Sequence, residues 1–332
     1  MPYTRREFGR LALSTLPAAT LLDHPWVAAA QTPRPNSPNS TIDGVRIGTI
    51  TYSYRSMRDQ SAEATLRYVV ESGISQIELM NGPAESFAGA PQGGRGGGGG
   101  RRGEPPTPEQ QAAQRDAAAR LKQWRMSVSM DRFKALRRMY NDAGVTIYAW
   151  KALNPSMSDE EFEYVFNVAE ALGCTHTTLE LPTDVAPLKR IGAFAEKRKI
   201  YAAYHTHLQG SMTAFDQAFA ASPANRANID LGHYVAATGE SPIPFLRKFH
   251  DRIASVHLKD RQTPAHGAGN LPWGKGDTPL REILQLMKKE RYGFPASIEL
   301  EYDVPEGSNA VTEVGKCLDY CRAALAAAPS NQ

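Results

Sequence analysis

The stretch Ile253-Ala-Ser-Val-His-Leu-Lys-Asp-Arg261 is an apolar run that ends in imidazole and charged side chains. A short run of about four to eight mostly apolar residues is typical of a strand that is buried on both faces, as in a parallel sheet. Three more apolar runs in the C-terminal half of the chain end in the same way. They lead into Tyr204-His-Thr-His207, Asp230-Leu-Gly-His233 and Glu299-Leu-Glu301.

Similar apolar runs alternate with amphipathic stretches along most of the chain. The predicted strands lie near residues 45–50, 76–80, 145–150, 176–181, 200–205, 227–231, 253–258 and 296–301. The predicted helices lie near residues 61–72, 128–143, 158–172, 187–199, 213–221, 243–250, 279–290 and 311–326. Eight strands that alternate with eight helices indicate an α/β fold with a single (β/α)₈ barrel, the TIM barrel, which commonly takes about 250 residues.

The polar clusters fall at the ends of four successive predicted strands. The carboxyl ends of barrel strands meet on the face where the active sites of such barrels lie. An ordinary core does not need charged groups stacked at one end. The sequence therefore predicts a metal site whose ligands are His205, Asp230, His257 and Glu299. Two nitrogen and two oxygen ligands suit Mn²⁺, Zn²⁺ or Co²⁺, and affinity order alone does not choose among these metals.

Catalytic roles are predicted for Glu299, Lys259 and Glu180. Lys259 lies two residues after His257 of the predicted strand and so faces inward on the same side. Its ammonium group could stabilise an enolate oxygen, or the amine could act as a base if its pKa is lowered. Glu180 ends the fourth predicted strand and could add a carboxylate to the pocket, although an acid with no catalytic role at the barrel rim fits the sequence equally well.

Substrate contacts are predicted for His207, His233, Arg261 and Trp273. The two histidines lie just beyond predicted ligands, so support of the metal ligands is an equal alternative for them. Trp273 opens the segment Trp273-Gly-Lys-Gly-Asp277, which is predicted to be a loop over the site. In that loop Asp277 is predicted to cap the helix that follows.

The N-terminus is predicted to lie outside the folded domain. Residues 5–11 contain a twin-arginine pattern, followed by a short, weakly apolar run and an alanine triplet, so residues 1–30 resemble a twin-arginine signal peptide. A membrane anchor is the rival interpretation, but a permanent span needs about 20 apolar residues. Residues 31–43 form a polar linker, residues 44–326 the barrel and residues 327–332 a tail.

One segment interrupts the alternation of strands and helices. Residues 82–106 follow the second predicted strand and include five consecutive glycines at 96–100 with arginines on both sides. Gly/Arg runs can bind nucleic acid, but a single short run without aromatic residues is more typical of a flexible surface insertion. A polar helix is predicted after it, near residues 107–124. An insertion after a strand is expected on the active-site face, where it could act as a lid.

Composition excludes several classes of protein. The formal net charge of the 332 residues is +3, which implies no strong field for nucleic acid or a membrane surface. Three cysteines are too few for a disulfide framework. Cys317 and Cys321 lie four residues apart in the last predicted helix, and we expect them to be core-facing thiols.

These motifs resemble the sugar phosphate isomerase/epimerase family, part of the xylose isomerase-like TIM barrel superfamily that also holds AP endonucleases, inosose dehydratases and ketose 3-epimerases. The resemblance covers about residues 44–326 and rests chiefly on Asp230-Leu-Gly-His233 and His257-Leu-Lys-Asp260. It implies that Asp230, His257 and Glu299 bind a metal and that His233 contacts the substrate. It also implies a carbohydrate substrate and a homodimer.

One position departs from the ketose epimerases of that family. They resemble this chain elsewhere, but they carry a glutamate where this chain has His205. By the resemblance, their reaction uses two metal-bound glutamates on opposite faces of the substrate, and only Glu299 matches here. Either Glu180 or a histidine takes the second role, or the reaction is not a simple epimerisation. A metal-assisted β-elimination needs only one base and a Lewis acid.

The primary hypothesis is an exported, periplasmic, metal-dependent isomerase or epimerase that removes a proton next to a carbonyl of a sugar or keto-sugar, with neither a nucleic-acid partner nor stable membrane insertion. The alternative is a metal-dependent lyase that dehydrates 3-keto-glycosides or inososes. An AP-endonuclease-like phosphodiesterase is less favoured, because strands two and three end in Glu78-Leu-Met80 and Trp150-Lys151 rather than in histidines. A non-catalytic sugar-binding barrel is the third class.

Overall fold

A closed barrel of eight parallel strands forms the centre of the molecule. The structure is a computed structural model that describes residues 37–91 and 107–328. The barrel strands are β1 (Val45–Ile50), β2 (Gln76–Met80), β3 (Thr146–Lys151), β4 (His176–Glu180), β5 (Tyr201–His205), β6 (Asn225–Asp230), β7 (Ile253–Leu258) and β8 (Ala296–Ile298). Each strand pairs in parallel with its neighbour in the chain, and β8 pairs with β1 to close the barrel.

Helices cover the outside of the barrel. They are α1 (Ala62–Glu71), α2 (Asn81–Phe87), α3 (Pro108–Ser127), α4 (Met130–Asp142), α5 (Asp159–Leu172), α6 (Val185–Arg198), α7 (Asp216–Ala221), α8 (Leu231–Thr238), α9 (Ile243–Phe249), α10 (Leu280–Glu290) and α11 (Ala310–Ala326). Three short 3₁₀ turns lie at Thr51–Tyr54, His250–Arg252 and Pro264–His266. The strands and helices bury a continuous apolar core between them. None of the helices in the described ranges has the length and apolar character that crossing a membrane requires.

Two short antiparallel pairings are added to the barrel. Thr41–Ile42 pairs with the start of β1 at its amino end. Asp260–Arg261 pairs with Asn270–Leu271, directly after β7, and so ties the loop that follows β7 back onto itself. The second pairing lies on the carboxyl face of the barrel, where it fixes the position of Arg261.

The predicted barrel and all eight strands are confirmed, with differences at the ends. The last strand was expected over 296–301 but ends at Ile298, and beyond it the backbone N–H of Leu300 donates to the side chain of Ser53 rather than to a strand. The two helices that the sequence did not predict are α2 and α8, which are only seven and eight residues long. The thiols of Cys317 and Cys321 are buried, as expected.

The predicted insertion starts later than expected. Residues 82–87 belong to α2 and are not part of a low-complexity loop, while residues 92–106 lie outside the described residues. The predicted polar helix is α3. Arg125 of α3 donates to Glu85 of α2 at 2.8 Å, and both side chains are mostly buried. This ion pair joins the helices on either side of the glycine-rich segment.

Candidate metal centre

The four residues predicted as metal ligands lie together at the carboxyl ends of the strands. Each of His205, Asp230, His257 and Glu299 offers one ligand atom, and these atoms lie within 4.8 Å of one another. All four side chains are buried. The convergence follows from the parallel barrel, because β5, β6, β7 and β8 are consecutive neighbours and end on the same face.

Lys259 lies within this cluster and contacts three carboxylates. Its Nζ is 2.9 Å from Asp230 Oδ2, 2.9 Å from Glu299 Oε2 and 2.7 Å from Glu301 Oε2. Burial alone would lower the pKa of Lys259, but the three carboxylates outweigh burial and raise the pKa above its ordinary value. The condition for Lys259 to act as a base, a lowered pKa, is therefore not met, and its side chain is an ammonium cation.

Glu78, in the middle of β2, is a site residue that was not predicted from the sequence. Its Oε2 lies 2.8 Å from His257 Nε2, and its Oε1 accepts from Thr178 Oγ1 at 2.6 Å. On the other side of the same ring, His257 Nδ1 lies 2.8 Å from Glu299 Oε2. A carboxylate that holds the second nitrogen of a histidine fixes the ring orientation and makes it a better ligand.

The charges of Glu78 and His257 stabilise each other. Burial would raise the pKa of Glu78, but the neighbouring imidazolium of His257 lowers it to about 2. Burial would likewise lower the pKa of His257, but Glu78 and Glu299 raise it to about 10. His257 is therefore protonated on both nitrogens when no cation replaces one of the protons.

Two atoms of the cluster fit a bound cation, since the protein itself leaves them without partners. His205 Nδ1 and Asp230 Oδ2 are buried, and neither has a hydrogen-bond partner among the described residues; Lys259 Nζ approaches Asp230 Oδ2 but not in hydrogen-bonding geometry. Burial and the charge of His257 hold the pKa of His205 well below its usual range, which leaves a neutral imidazole. Burial raises the pKa of Asp230, although Lys259 opposes this. A divalent cation suits a neutral imidazole beside under-compensated carboxylates.

His233 and Arg261 form a pair next to the cluster. Arg261 Nη1 lies 2.5 Å from His233 Nδ1. The backbone N–H of His233 donates to Asp230 Oδ1 at 2.7 Å, so Asp230 also caps the first turn of α8. Burial, together with the charges of Lys259 and Arg261, lowers the pKa of His233 to about 2. His233 is a neutral side chain at the wall of the site.

Glu180 and His207 lie at the rim of the barrel rather than in its buried centre. Both side chains are about half exposed, and Glu180 Oε2 lies 3.7 Å from His207 Nδ1. Lys151 pairs with Glu180 at 2.8 Å. Ligand atoms of Glu180, His205 and His207 also lie within 4.8 Å of one another. His205 therefore links the rim pair to the buried cluster.

Asp260 anchors the loop that was predicted to cover the site. Its Oδ2 accepts the backbone N–H groups of Gly274, Lys275 and Gly276 at 2.7, 3.1 and 2.9 Å. Its Oδ1 accepts the N–H of Thr278 at 3.2 Å. A Cβ atom at Gly276 would lie 2.3 Å from Asp260 Oδ1, so the close approach of this carboxylate requires glycine there.

The predicted cap of α10 is wrong. Asp277 does not cap that helix; its Oδ2 instead accepts from Thr263 and from His266 Nδ1. Trp273 packs edge-on against the ring of Tyr320, with 5.7 Å between ring centroids. This contact does not test whether Trp273 binds substrate, so that role stays a prediction.

Comparisons with known proteins agree with this architecture. A family model described as "Xylose isomerase-like TIM barrel" matches residues 111–321. An inosose dehydratase from Clostridium beijerinckii is 27% identical over 138 residues, which are 40% of this chain and 38% of that protein. The chain thus spans well under two thirds of the length of this curated relative.

Two solved structures have the same fold. A sugar phosphate isomerase/epimerase from Parabacteroides distasonis superposes with a TM-score of 0.57 at 17% identity, over 84% of this chain and 96% of that one. A probable 3-DHS dehydratase from Bacillus anthracis gives a TM-score of 0.58 at 15% identity, over 83% of this chain and 98% of that one. At such identities the likeness extends to the fold alone.

Proposed function

The chain belongs to the xylose isomerase-like TIM barrel family, and on that premise we propose that it is a metal-dependent isomerase or epimerase of polyhydroxylated carbonyl compounds. The reaction would begin with removal of a proton from the carbon next to the carbonyl. The observation that carries the proposal is the buried cluster of His205, Asp230, His257 and Glu299 with the ammonium group of Lys259 among its carboxylates.

The four clustered residues would hold the cation. When bound there, a divalent cation would supply Lewis acidity to a carbonyl oxygen and its neighbouring hydroxyl. The metal ligands predicted from the sequence are retained, with Glu78 added as the residue that orients His257. Mn²⁺, Zn²⁺ and Co²⁺ all fit two imidazoles and two carboxylates.

Proton transfer is assigned to carboxylates at opposite sides of the barrel mouth. Glu299 follows β8 and Glu180 ends β4, and three strands lie between β4 and β8 in either direction around the barrel. An epimerase needs proton-transfer groups on both faces of its substrate. Glu299 takes one face and Glu180 the other, and the half-exposed position of Glu180 lets it exchange protons with water.

The remaining predicted residues bind and orient the substrate. Lys259 is a fixed cation that favours negative charge developing on a nearby oxygen. His207 lies at the rim, and His233 lies deeper, beside Arg261. Trp273 belongs to the loop that Asp260 anchors. We keep the predicted substrate-binding roles of His207, His233 and Trp273 as part of the proposal, whereas Arg261 contacts His233.

Dehydration is the second candidate reaction, and the partial similarity to an inosose dehydratase supports it. It shares the first step with isomerisation, but a hydroxyl β to the carbonyl then leaves with the electron pair of its C–O bond. Glu299 alone would remove the proton and, as the carboxylic acid then formed, would return it to the leaving hydroxyl, which departs as water. Inososes and 3-keto-glycosides carry such a hydroxyl.

Proton exchange in heavy water tests the shared first step. The metal-loaded protein would be incubated with ketoses, 3-keto-glucosides and inososes, and deuterium at carbon followed by NMR and mass spectrometry. Deuterium incorporation at carbon supports the shared first step, and formation of an isomer without loss of water supports the isomerase. Loss of one water supports the dehydratase. If no compound of the panel exchanges or reacts, proton abstraction as the mechanism is wrong.

Two other functional classes, a phosphodiesterase and a non-catalytic sugar-binding protein, can be tested directly. A phosphodiesterase of the AP-endonuclease type would bind about three metal ions, whereas this cluster predicts about one per chain. The strands β2 and β3 end in Glu78-Leu-Met80 and Trp150-Lys151, where such a site needs histidines. A sugar-binding barrel without activity would bind sugar unchanged after His257→Ala, although that variant should lose the metal.

We also propose that the protein is exported and acts in the periplasm. The twin-arginine pattern at residues 5–11 supports this proposal. Residues 1–36 lie outside the described residues, so the signal peptide rests on the sequence alone. The twin-arginine route carries folded proteins, which suits an enzyme that takes up its metal before export.

A further inference from the structure

The contact between Arg261 and His233 determines which nitrogen of His233 carries a proton. Arg261 Nη1 lies 2.5 Å from His233 Nδ1. A guanidinium group has only N–H donors and cannot accept a hydrogen bond. Nδ1 must therefore be the acceptor, and in a neutral imidazole the proton is then on Nε2.

Both members of the pair are held from several sides. The Arg261 backbone N–H donates to Thr278 Oγ1 at 3.0 Å, and Arg261 Nη2 donates to the carbonyl of Ala268. The residue also pairs with Asn270 in the short ladder after β7. The backbone N–H of His233 donates to Asp230 Oδ1.

The free Nε2–H of His233 faces the site. Glu301 Oε2 lies 3.8 Å from Nε2, which is beyond hydrogen-bonding distance, and this carboxylate oxygen is engaged by Lys259 at 2.7 Å. Lys259, directly after β7, and the His233 Nε2–H, on α8, thus approach the same region. Cationic and N–H donors together are a suitable environment for an electron-rich oxygen.

We propose that Arg261 is a positioning residue that fixes His233 as its Nε2–H tautomer, so that His233 is a neutral hydrogen-bond donor to the carbonyl or enolate oxygen of the substrate. This assigns to Arg261 a role different from direct substrate contact. The assignment of the substrate oxygen rests on the proposed function, whereas the tautomer does not.

The tautomer can be measured without any substrate. In the full chain labelled with ¹⁵N-histidine, long-range ¹H–¹⁵N correlation spectra distinguish protonated from unprotonated ring nitrogens, and His233→Gln identifies the signals of His233. We expect a protonated Nε2 and an unprotonated Nδ1. Arg261→Met should lose this preference, and Arg261→Lys, which keeps a donor, should retain it. A proton on Nδ1 in the unmodified protein, or an unchanged tautomer in Arg261→Met, overturns the proposal.

A matched control uses an exposed arginine. Arg247 pairs with Glu290 at the surface, and Arg247→Met should leave the His233 signals unchanged. If Arg247→Met alters them as much as Arg261→Met does, the effect of Arg261 is unspecific and the positioning role is wrong.

Steady-state kinetics test whether His233 donates to a substrate oxygen. The substrate is the compound of the heavy-water panel that the protein turns over. Loss of one preorganised donor to an oxyanion lowers kcat by about 10² to 10³, so His233→Gln should lose that much. Arg261→Met should lose a similar factor alone and almost nothing further when His233→Gln is present. Losses that multiply would mean that Arg261 contacts substrate directly. If no compound turns over, the proposed function fails, while the NMR result still decides the tautomer.

Discussion

Glu78 Oε2 and His257 Nε2 lie 2.8 Å apart in the centre of the barrel, and neither side chain is exposed. A carboxylate in this position orients the metal-binding histidine, and loss of such a partner typically costs about 10- to 100-fold in metal affinity. We expect Glu78→Gln to weaken metal binding by that factor, measured by competition with a chelator of known affinity. Glu85→Gln is the matched control, because Glu85 is an equally buried carboxylate that pairs with Arg125 instead. Equal metal affinity in Glu78→Gln and the unmodified protein would contradict this role.

Asp230 is a proposed metal ligand and also caps α8, and these two roles can be separated by substitution. Asparagine caps helices as well as aspartate does, whereas alanine costs about 1 kcal/mol of stability. In the metal-free protein, Asp230→Ala should therefore be less stable than Asp230→Asn by about that amount, measured by denaturant unfolding. Neither variant should be stabilised by added metal. Stabilisation of Asp230→Asn equal to that of the unmodified protein would exclude Asp230 as a ligand.

Metal binding should raise the stability of the unmodified protein. A ligand that binds only the folded state adds about 2.7 kcal/mol when its concentration is 100 times Kd. We expect the midpoint of thermal unfolding to rise on titration with Mn²⁺, Zn²⁺ or Co²⁺ and to fall again with a chelator. His257→Ala serves as the comparison, and a rise of the same size in that variant would place the metal elsewhere.

The Asp260 anchor predicts that alanine disturbs the loop at Gly276 but is tolerated at Gly293. Gly276→Ala would bring a Cβ to 2.3 Å from Asp260 Oδ1, whereas a Cβ at Gly293 would meet no atom within 4 Å beyond its chain neighbours. We expect Gly276→Ala to raise amide hydrogen exchange in residues 270–278, and Gly293→Ala to leave that exchange unchanged. Asp260→Ala should raise it as well, because the backbone N–H groups of residues 274, 275, 276 and 278 lose their acceptor. Unchanged exchange in both loop variants would refute the anchor.

His176 should make stability depend on pH. It is buried against Ser255 Oγ and Thr175 Oγ1, and burial lowers its pKa from 6.5 to about 4. The unfolded chain then binds the proton more readily than the folded one, so stability is lost as pH falls below 6.5. Between about pH 7.5 and about pH 5 the loss from this residue is about 2 kcal/mol. In His176→Gln the free energy of unfolding should change less between the two pH values, by that amount. In His250→Gln, a substitution at an exposed position, it should change as much as in the unmodified protein. Urea unfolding at both pH values measures it.

Export can be tested independently of activity. A fusion of residues 1–43 to a reporter that is active only after folding in the cytoplasm should reach the periplasm. Replacement of both Arg5 and Arg6 by lysine should retain it in the cytoplasm, and so should a host that lacks the twin-arginine translocase. Cytoplasmic retention of the unmodified fusion would contradict the proposed localisation.

Hydrophobic patterning was sufficient to predict the barrel and the strand-end cluster, because both follow from short apolar runs that end in polar residues. It could not predict Glu78, whose partner His257 is 179 residues away along the chain. A carboxylate inside the run Gln76–Met80 resembles an isolated exception until the opposite strand is known. The charge of Lys259 was also unpredictable for this reason, since Asp230 and Glu299 reach it from neighbouring strands.

Helix α8 and the partners of Asp277 were also not predicted from the sequence. The helix α8 is almost entirely buried, so it lacks the polar face by which the periodicity of a helix is recognised. Asp277 stands just before a helix, as a capping residue would, but His266 and Thr263 approach it from the preceding loop. Such tertiary contacts decide which of several local hydrogen bonds an aspartate makes.

The anchor of the loop after β7 has a consequence for engineering this barrel. Asp260 holds residues 274–276 through their backbone N–H groups alone, so the anchor places no demand on the side chain at 275 or on the neighbouring side chain at 273. Under the substrate-binding role proposed for Trp273, libraries that vary Trp273 and Lys275 while Asp260, Gly274 and Gly276 stay fixed would change the side chains that meet substrate on an unchanged loop. Residues 273–276 are therefore a suitable target for mutations that change substrate specificity.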